Sequence, residues 1–230
     1  MQLFWALVLA HLTADFLQPA ALVRWTKRSA WGLAAHVATY AALTTLVLAG
    51  RGWSWWPWLA LLVATHLAID RTKIALDRRL GTGSFYVLTA DQLLHFCVIA
   101  YVAFVGLAGY GASPLLSMLP ADPAPLESVT AYVTVTFTVS IVVFEAGRTF
   151  APDPVGTKVA SWAWRLPGMV ERTLAVLLAH AGLYPLAPLA FAFSGYRLAR
   201  DWATSRRRRD VIELGVSAAS TVVVAATMLR

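Results

Sequence analysis

Residues 55–76 read WWPWLALLVATHLAIDRTKIAL, an apolar run broken by His66 and closed by Asp70 before the first basic residues. A helix crossing a bilayer core needs roughly 20 predominantly apolar residues. Comparable windows lie at Gln2–Ala21, Trp31–Leu48, Phe85–Gly109, Ser128–Gly147, Pro167–Gly182, Pro185–Ala203 and Val211–Met228. The expectation is an all-α, polytopic transmembrane helical bundle of about eight spans, or seven if Pro167–Ala203 is one kinked helix. The break Gly182-Leu183-Tyr184-Pro185 favours two.

Composition agrees. Of the residues 59% are apolar and 13% charged, against roughly 25% charged in soluble domains, and the mean hydropathy is +0.64. Alternating strands of about ten residues, the mark of a membrane barrel, are not evident. The net charge of +7 sits in short runs between apolar windows: Arg24, Lys27 and Arg28; Arg71, Lys73, Arg78 and Arg79; Arg148, Lys158 and Arg165; Arg206–Arg209. That is the pattern of cytoplasmic loops beside anionic lipid and argues against nucleic acid as a partner. The runs follow the first, third, fifth and seventh windows, so the positive-inside rule puts both termini outside the cytoplasm of a bacterial inner membrane. Tryptophans at window ends (Trp25, Trp31, Trp53, Trp55, Trp56, Trp58) fit an interfacial belt. The single Cys97 excludes an intrachain disulfide and a thiolate-rich metal site. The first window lacks a basic leader and contains His11 and Asp15, so it reads as a span rather than a cleavable signal.

Residues 110–127, rich in Gly, Pro and Ser and without Lys or Arg, divide the chain into halves at 1–109 and 128–230. The first half holds most of the unusual polar residues. His11 and Asp15, His66 and Asp70, and Asp91 and His95 are each four apart, on one helix face. His36 enters the second window at a similar depth. Four imidazoles and three carboxylates thus fall near one membrane level, where ionisable groups persist by pairing, binding an ion or lining a pathway. His11 to His66 and Asp15 to Asp70 both span 55 residues, and His36 to His95 spans 59. This spacing points to two parallel helical hairpins with a site at their interface.

The order His11…Asp15-Phe16…Gln18, Lys27, His36, His66…Asp70…Lys73 and Asp91-Gln92…His95 resembles a bacterial inner-membrane family catalogued as domain of unknown function 3307. The resemblance continues more weakly through Gly168…Glu171-Arg172 to Arg200, Asp210 and Gly215. It differs in the register of Gln18 and in a Lys-Ser replaced around Tyr196-Arg197. It implies a membrane location and the His/Asp set, and carries no activity.

Imidazole and carboxylate together suit one or two divalent ions, here Zn, Mn or Fe. The expected ligands are His11, His66, Asp70 and His95, with Asp15 and Asp91 orienting a ligand or acting as base and His36 as acid or further ligand. Lys73, Arg148 and Arg172 are candidates for an anionic group on the substrate. The first expectation is therefore a metal-dependent, hydrolase-type enzyme acting on a lipid-borne phosphate or ester from the inner leaflet. The same residues also fit a proton- or metal-coupled transporter, and a third reading is a membrane scaffold for a partner protein.

Overall fold

The computed structural model describes the chain except residues 51, 81–83, 109–112, 152–161, 201, 203–206 and 229–230. Lys158, Arg206 and the start of the 110–127 loop, all used above, lie outside the described residues. Among the described residues there are helices and no strands. In order they are α1 (Gln2–Phe16), α2 (Ala20–Arg28), α3 (Ala30–Leu48), α4 (Trp56–Leu80), α5 (Phe85–Tyr101), α6 (Pro114–Ser117), α7 (Ala124–Val133), α8 (Val139–Phe150), α9 (Trp162–His180), α10 (Ala192–Arg200) and α11 (Arg207–Met228). A π turn, Val102–Gly106, prolongs α5, and another, Thr134–Thr138, joins α7 to α8.

Among the described residues, each of the eight apolar windows is mainly helical. Four stretches are long and apolar enough to cross a membrane: Ala30–Leu48, Phe85–Gly106, Ala124–Phe150 and Arg208–Thr227. Gln2–Phe16 with Ala21–Arg28 makes a fifth, bent by 84°. The chain is therefore a membrane protein, with four or five such candidate crossings among the described residues against the eight windows read from the sequence. In α4 the apolar run stops at Asp70, and Arg71, Lys73, Asp77, Arg78 and Arg79 follow on the same helix. Residues 167–200 form a helical hairpin of two short arms. Gly182, with φ +75°, ends α9 in a turn in which Leu183 N–H donates to Leu178 O and Gly182 N–H to Ala179 O. The returning arm starts as a 3₁₀ segment, Tyr184–Phe191, containing Pro185 and Pro188.

The chain divides into two compact units, residues 1–82 with 86–130, and residues 83–85 with 131–230. In the first, α1 packs on α3, α3 on α4, and the π turn after α5 touches both α1 and α4, which closes a ring of four helices. Residues 113–127 belong to this unit rather than merely separating halves. Trp5 Nε1 donates to Glu127 Oε1 at 2.7 Å, and the Gln2 amide donates to Pro120 O. The bend after α1 falls at Gln18-Pro19, where proline disfavours a helical predecessor. The short α2 then turns back on α3, whose N-terminus is capped by Ser29 Oγ accepting from Gly32 N–H at 2.9 Å.

In the second unit α8, α9 and α11 pack together around Ala131, Val135, Val176 and Val224. The π turn widens the backbone ring and frees carbonyls from the i→i−4 ladder. Side chains take up two of them: Ser140 Oγ donates to Thr136 O at 2.6 Å, and Arg172 Nε donates to Val135 O at 2.7 Å.

A Cβ at Gly32 would collide with the Trp25 carbonyl, so the α2–α3 corner admits only glycine there, whereas Gly195 has no neighbour within 4 Å of its own Cβ position. Gly32→Ala should cost about 1–3 kcal/mol through overpacking, read as a lowered melting temperature in detergent. Gly195→Ala should leave it level or slightly raised; equal melting of the two variants would contradict this corner.

Candidate functional site

On each helix of the first unit the inward stripe repeats every three or four residues, and polar side chains occupy part of it. In α3 the stripe runs through His36, Tyr40 and Thr44, in α4 through Leu62, His66 and Asp70, and in α5 through Leu88, Asp91, His95 and Ile99. Within α5 itself Asp91, Gln92 and His95 are 3%, 8% and 3% exposed, while Leu93 and Leu94 are 59% and 54% exposed. A helix with acids and imidazoles inside and leucines outside is arranged for lipid, not water.

The seven residues singled out in the sequence meet in one cluster. The His11 and His95 rings stack with centroids 4.5 Å apart, and His66 lies 4.6 Å from His95 and 5.5 Å from His11. His36 Nε2 is 2.9 Å from Asp70 Oδ2 and 3.2 Å from His66 Nε2. Asp15 Oδ1 sits 3.6 Å from His36 Nε2 and 3.7 Å from His66 Nε2, and Asp15 Oδ2 lies 3.7 Å from His11 Nε2.

The geometry repeats when His11 is exchanged with His66, His36 with His95 and Asp15 with Asp70. The His11–His95 stack, 29° between planes, corresponds to the His66–His36 stack, also 29°. The Asp15–His36 approach of 3.6 Å corresponds to an Asp70–His95 approach of 4.0 Å.

Several buried atoms of the cluster point at nothing that hydrogen-bonds them: Nδ1 of His11, Nδ1 of His66, Nε2 of His95, and one oxygen each of Asp15 and Asp91. Buried polar atoms are rarely left so, because each costs about 1–3 kcal/mol. Charge is also unbalanced. Three carboxylates, Asp15, Asp70 and Asp91, face one ammonium, Lys73, whose Nζ is 2.7 Å from Asp91 Oδ2. Three sets have ligand atoms within 4.8 Å of one another and could hold a metal: His11, His66 and His95; Asp15, His36 and His66; Asp15, Asp91 and His95. Asp15, expected to orient or to act as base, joins two of these sets. Asp70, expected as a ligand, belongs to none of them and instead pairs closely with His36.

Neighbours hold the cluster in place. The Gln92 amide donates to Asp91 Oδ2 at 2.9 Å and to Asp15 Oδ2 at 3.2 Å, while its carbonyl oxygen lies 3.2 Å from His11 Nε2. His95 Nδ1 lies 2.9 Å from the Asp91 carbonyl and donates to it, which leaves Nε2 with the lone pair. Tyr40 stacks on His66 with centroids 4.1 Å apart and 19° between planes, and is 1% exposed. Tyr40 joins the cluster because it lies four residues after His36, on the same helix face. Lys73, 24% exposed, stands at the rim. Arg148 and Arg172 have their described partners within the second unit, Arg148 on Glu145 and Arg172 on Val135 O, Ser140 and Ser217.

A family model described as "Protein of unknown function (DUF3307)" matches residues 3–117, half of the chain. The chain belongs to that family, and the match contains the whole His/Asp cluster. No curated protein and no solved structure matches it.

Removing the Lys73 ammonium leaves Asp91 buried without its cation, a change that costs about 3 kcal/mol or more in such pairs. Lys73→Met should therefore lower the melting temperature sharply, and Lys73→Met combined with Asp91→Asn should recover most of the loss. A double variant as unstable as the single would show that the pair does not act as a unit.

Proposed function

We infer that this member of the family is a metal-dependent membrane enzyme of hydrolase type, acting on a lipid-borne phosphate or ester at the cytoplasmic leaflet of a bacterial inner membrane. The observation that supports it most directly is the convergence of His11, His66 and His95 in one buried triad, each ring keeping a nitrogen without a hydrogen-bond partner. Two uncompensated negative charges beside them favour a divalent cation. In this reading His11, His66, His95 and Asp15 hold the ion, and both termini lie outside the cytoplasm, as the distribution of Lys and Arg suggests.

A bound divalent ion supplies Lewis acidity toward a phosphoryl or acyl oxygen and makes water acidic enough to react near neutral pH. The chain's own groups do the rest. Gln92 fixes the Asp15 carboxylate, and the Asp91 carbonyl sets the tautomer of His95. His36, held by Asp70 at 2.9 Å, is placed to carry a proton. Water adds to phosphorus or the acyl carbon and gives its proton to His36; the bond to the lipid oxygen breaks, and that oxygen takes the proton back. Lys73 at the rim offers a positive charge to an anionic headgroup.

Protein purified in mild detergent without chelator should contain near-stoichiometric Zn, Mn or Fe by elemental analysis. His66→Ala should lose the metal while keeping its helical circular dichroism and elution position. Metal-free protein whose stability ignores chelators would overturn the reading, and proton or metal flux in liposomes abolished by Asp70→Asn would replace it with a carrier.

A further inference from the structure

The second unit has a pocket of its own, walled by Arg165, Gly168 and Arg172 of α9, Arg197 of α10, and Glu213 and Ser217 of α11. Its arginines are not equivalent. Arg197 Nη2 reaches Asp210 Oδ1 at 3.1 Å and Glu213 Oε2 at 3.0 Å, and Arg209 Nε reaches Glu213 Oε1 at 2.6 Å. Both acids are thereby engaged. The neighbouring Glu171 is also occupied, accepting from Ser194 N–H at 2.7 Å and from Ser194 Oγ at 2.5 Å.

Arg172 is different. It is 2% exposed, and its hydrogen bonds all end on neutral oxygens: Val135 O, Ser217 Oγ at 3.1 Å and Ser140 Oγ. Among the described residues no carboxylate lies within ion-pair reach of it. A buried guanidinium held only by neutral acceptors retains its charge and its remaining N–H donors for an anion. Gly168 keeps that approach open, since a Cβ there would stand 3.0 Å from Arg172 Nη1. Arg165 lies about two helical turns before Arg172 and lines the same pocket.

We propose that this pocket binds a phosphate group, with Arg172 as its buried anchor and Arg165 as its outer donor. Several arginines around one cavity match the tetrahedral array of phosphate oxygens better than they match a single planar carboxylate. The phosphate can belong to a phospholipid headgroup or to a free anion, and the chemistry of recognition is shared. The proposal stands independently of the metal reading, since every residue it uses belongs to the second unit.

The full chain in neutral detergent should be titrated separately with dihexanoyl phosphatidylglycerol, inorganic phosphate, dihexanoylglycerol, and sodium chloride at matched ionic strength, with melting followed by tryptophan fluorescence. Phosphatidylglycerol, with or without inorganic phosphate, should raise the melting temperature saturably, and the two phosphate-free additions should not. A response to the lipid alone identifies a headgroup site, and a response to both identifies the phosphate itself. Arg165→Gln and, should that variant fold poorly, Gly168→Ala should move the midpoint at least ~10-fold higher. Absence of a saturable rise in the wild-type chain, or unchanged midpoints in a folded variant, would overturn the proposal.

Discussion

The first unit depends on one constraint: imidazoles and carboxylates that bilayer lipid will not tolerate must all be turned toward one another. Helices α1, α3, α4 and α5 meet that demand by turning His11, His36, His66, His95, Asp15, Asp70 and Asp91 inward, while α3, α4 and α5 expose Leu46, Leu67, Leu93 and Leu94 on their outer faces. Much of the local detail serves it. Gln92 bridges two carboxylates, Lys73 offsets the charge of Asp91, and Tyr40 closes one side with an aromatic face. Hydroxyls elsewhere in these helices are satisfied at home: Thr39, Thr65 and Thr72 donate to the carbonyls of Ala35, Leu61 and Ala68 one turn back.

Much of this was legible in the sequence because helices convert spacing into direction. Three His/Asp pairs four residues apart had to share faces, and equal 55-residue intervals placed two of those pairs in equivalent settings. What spacing cannot supply is the pairing between helices. Nothing along the chain shows that Lys73 answers Asp91, that Tyr40 lies against His66, or that Asp70 pairs with His36 while Asp15 approaches His11, His36 and His66. Hydropathy likewise located the helical segments but overstated the straight crossings. It averages over charges such as those ending α4, and it does not register the 84° corner after α1.

The second unit shows a different solution to burying charge. Arg148 and Arg172 were expected to meet an anionic group on the substrate. Arg197, Arg209, Asp210 and Glu213 neutralise one another. Arg172 is instead held by a carbonyl that the π turn releases, and by two serines. A helix irregularity invisible to hydropathy thus creates the acceptor that lets a guanidinium stay inside an apolar bundle.

The central claim is that the imidazoles of α1, α4 and α5 meet around one metal ion. X-ray absorption at the K-edge of whichever metal the purified protein carries reads that ligand shell directly. The account predicts a shell of nitrogen and oxygen with the multiple-scattering signature of at least two imidazoles, lost in His66→Ala. A shell of oxygen alone, or a spectrum unchanged by His66→Ala, would contradict it.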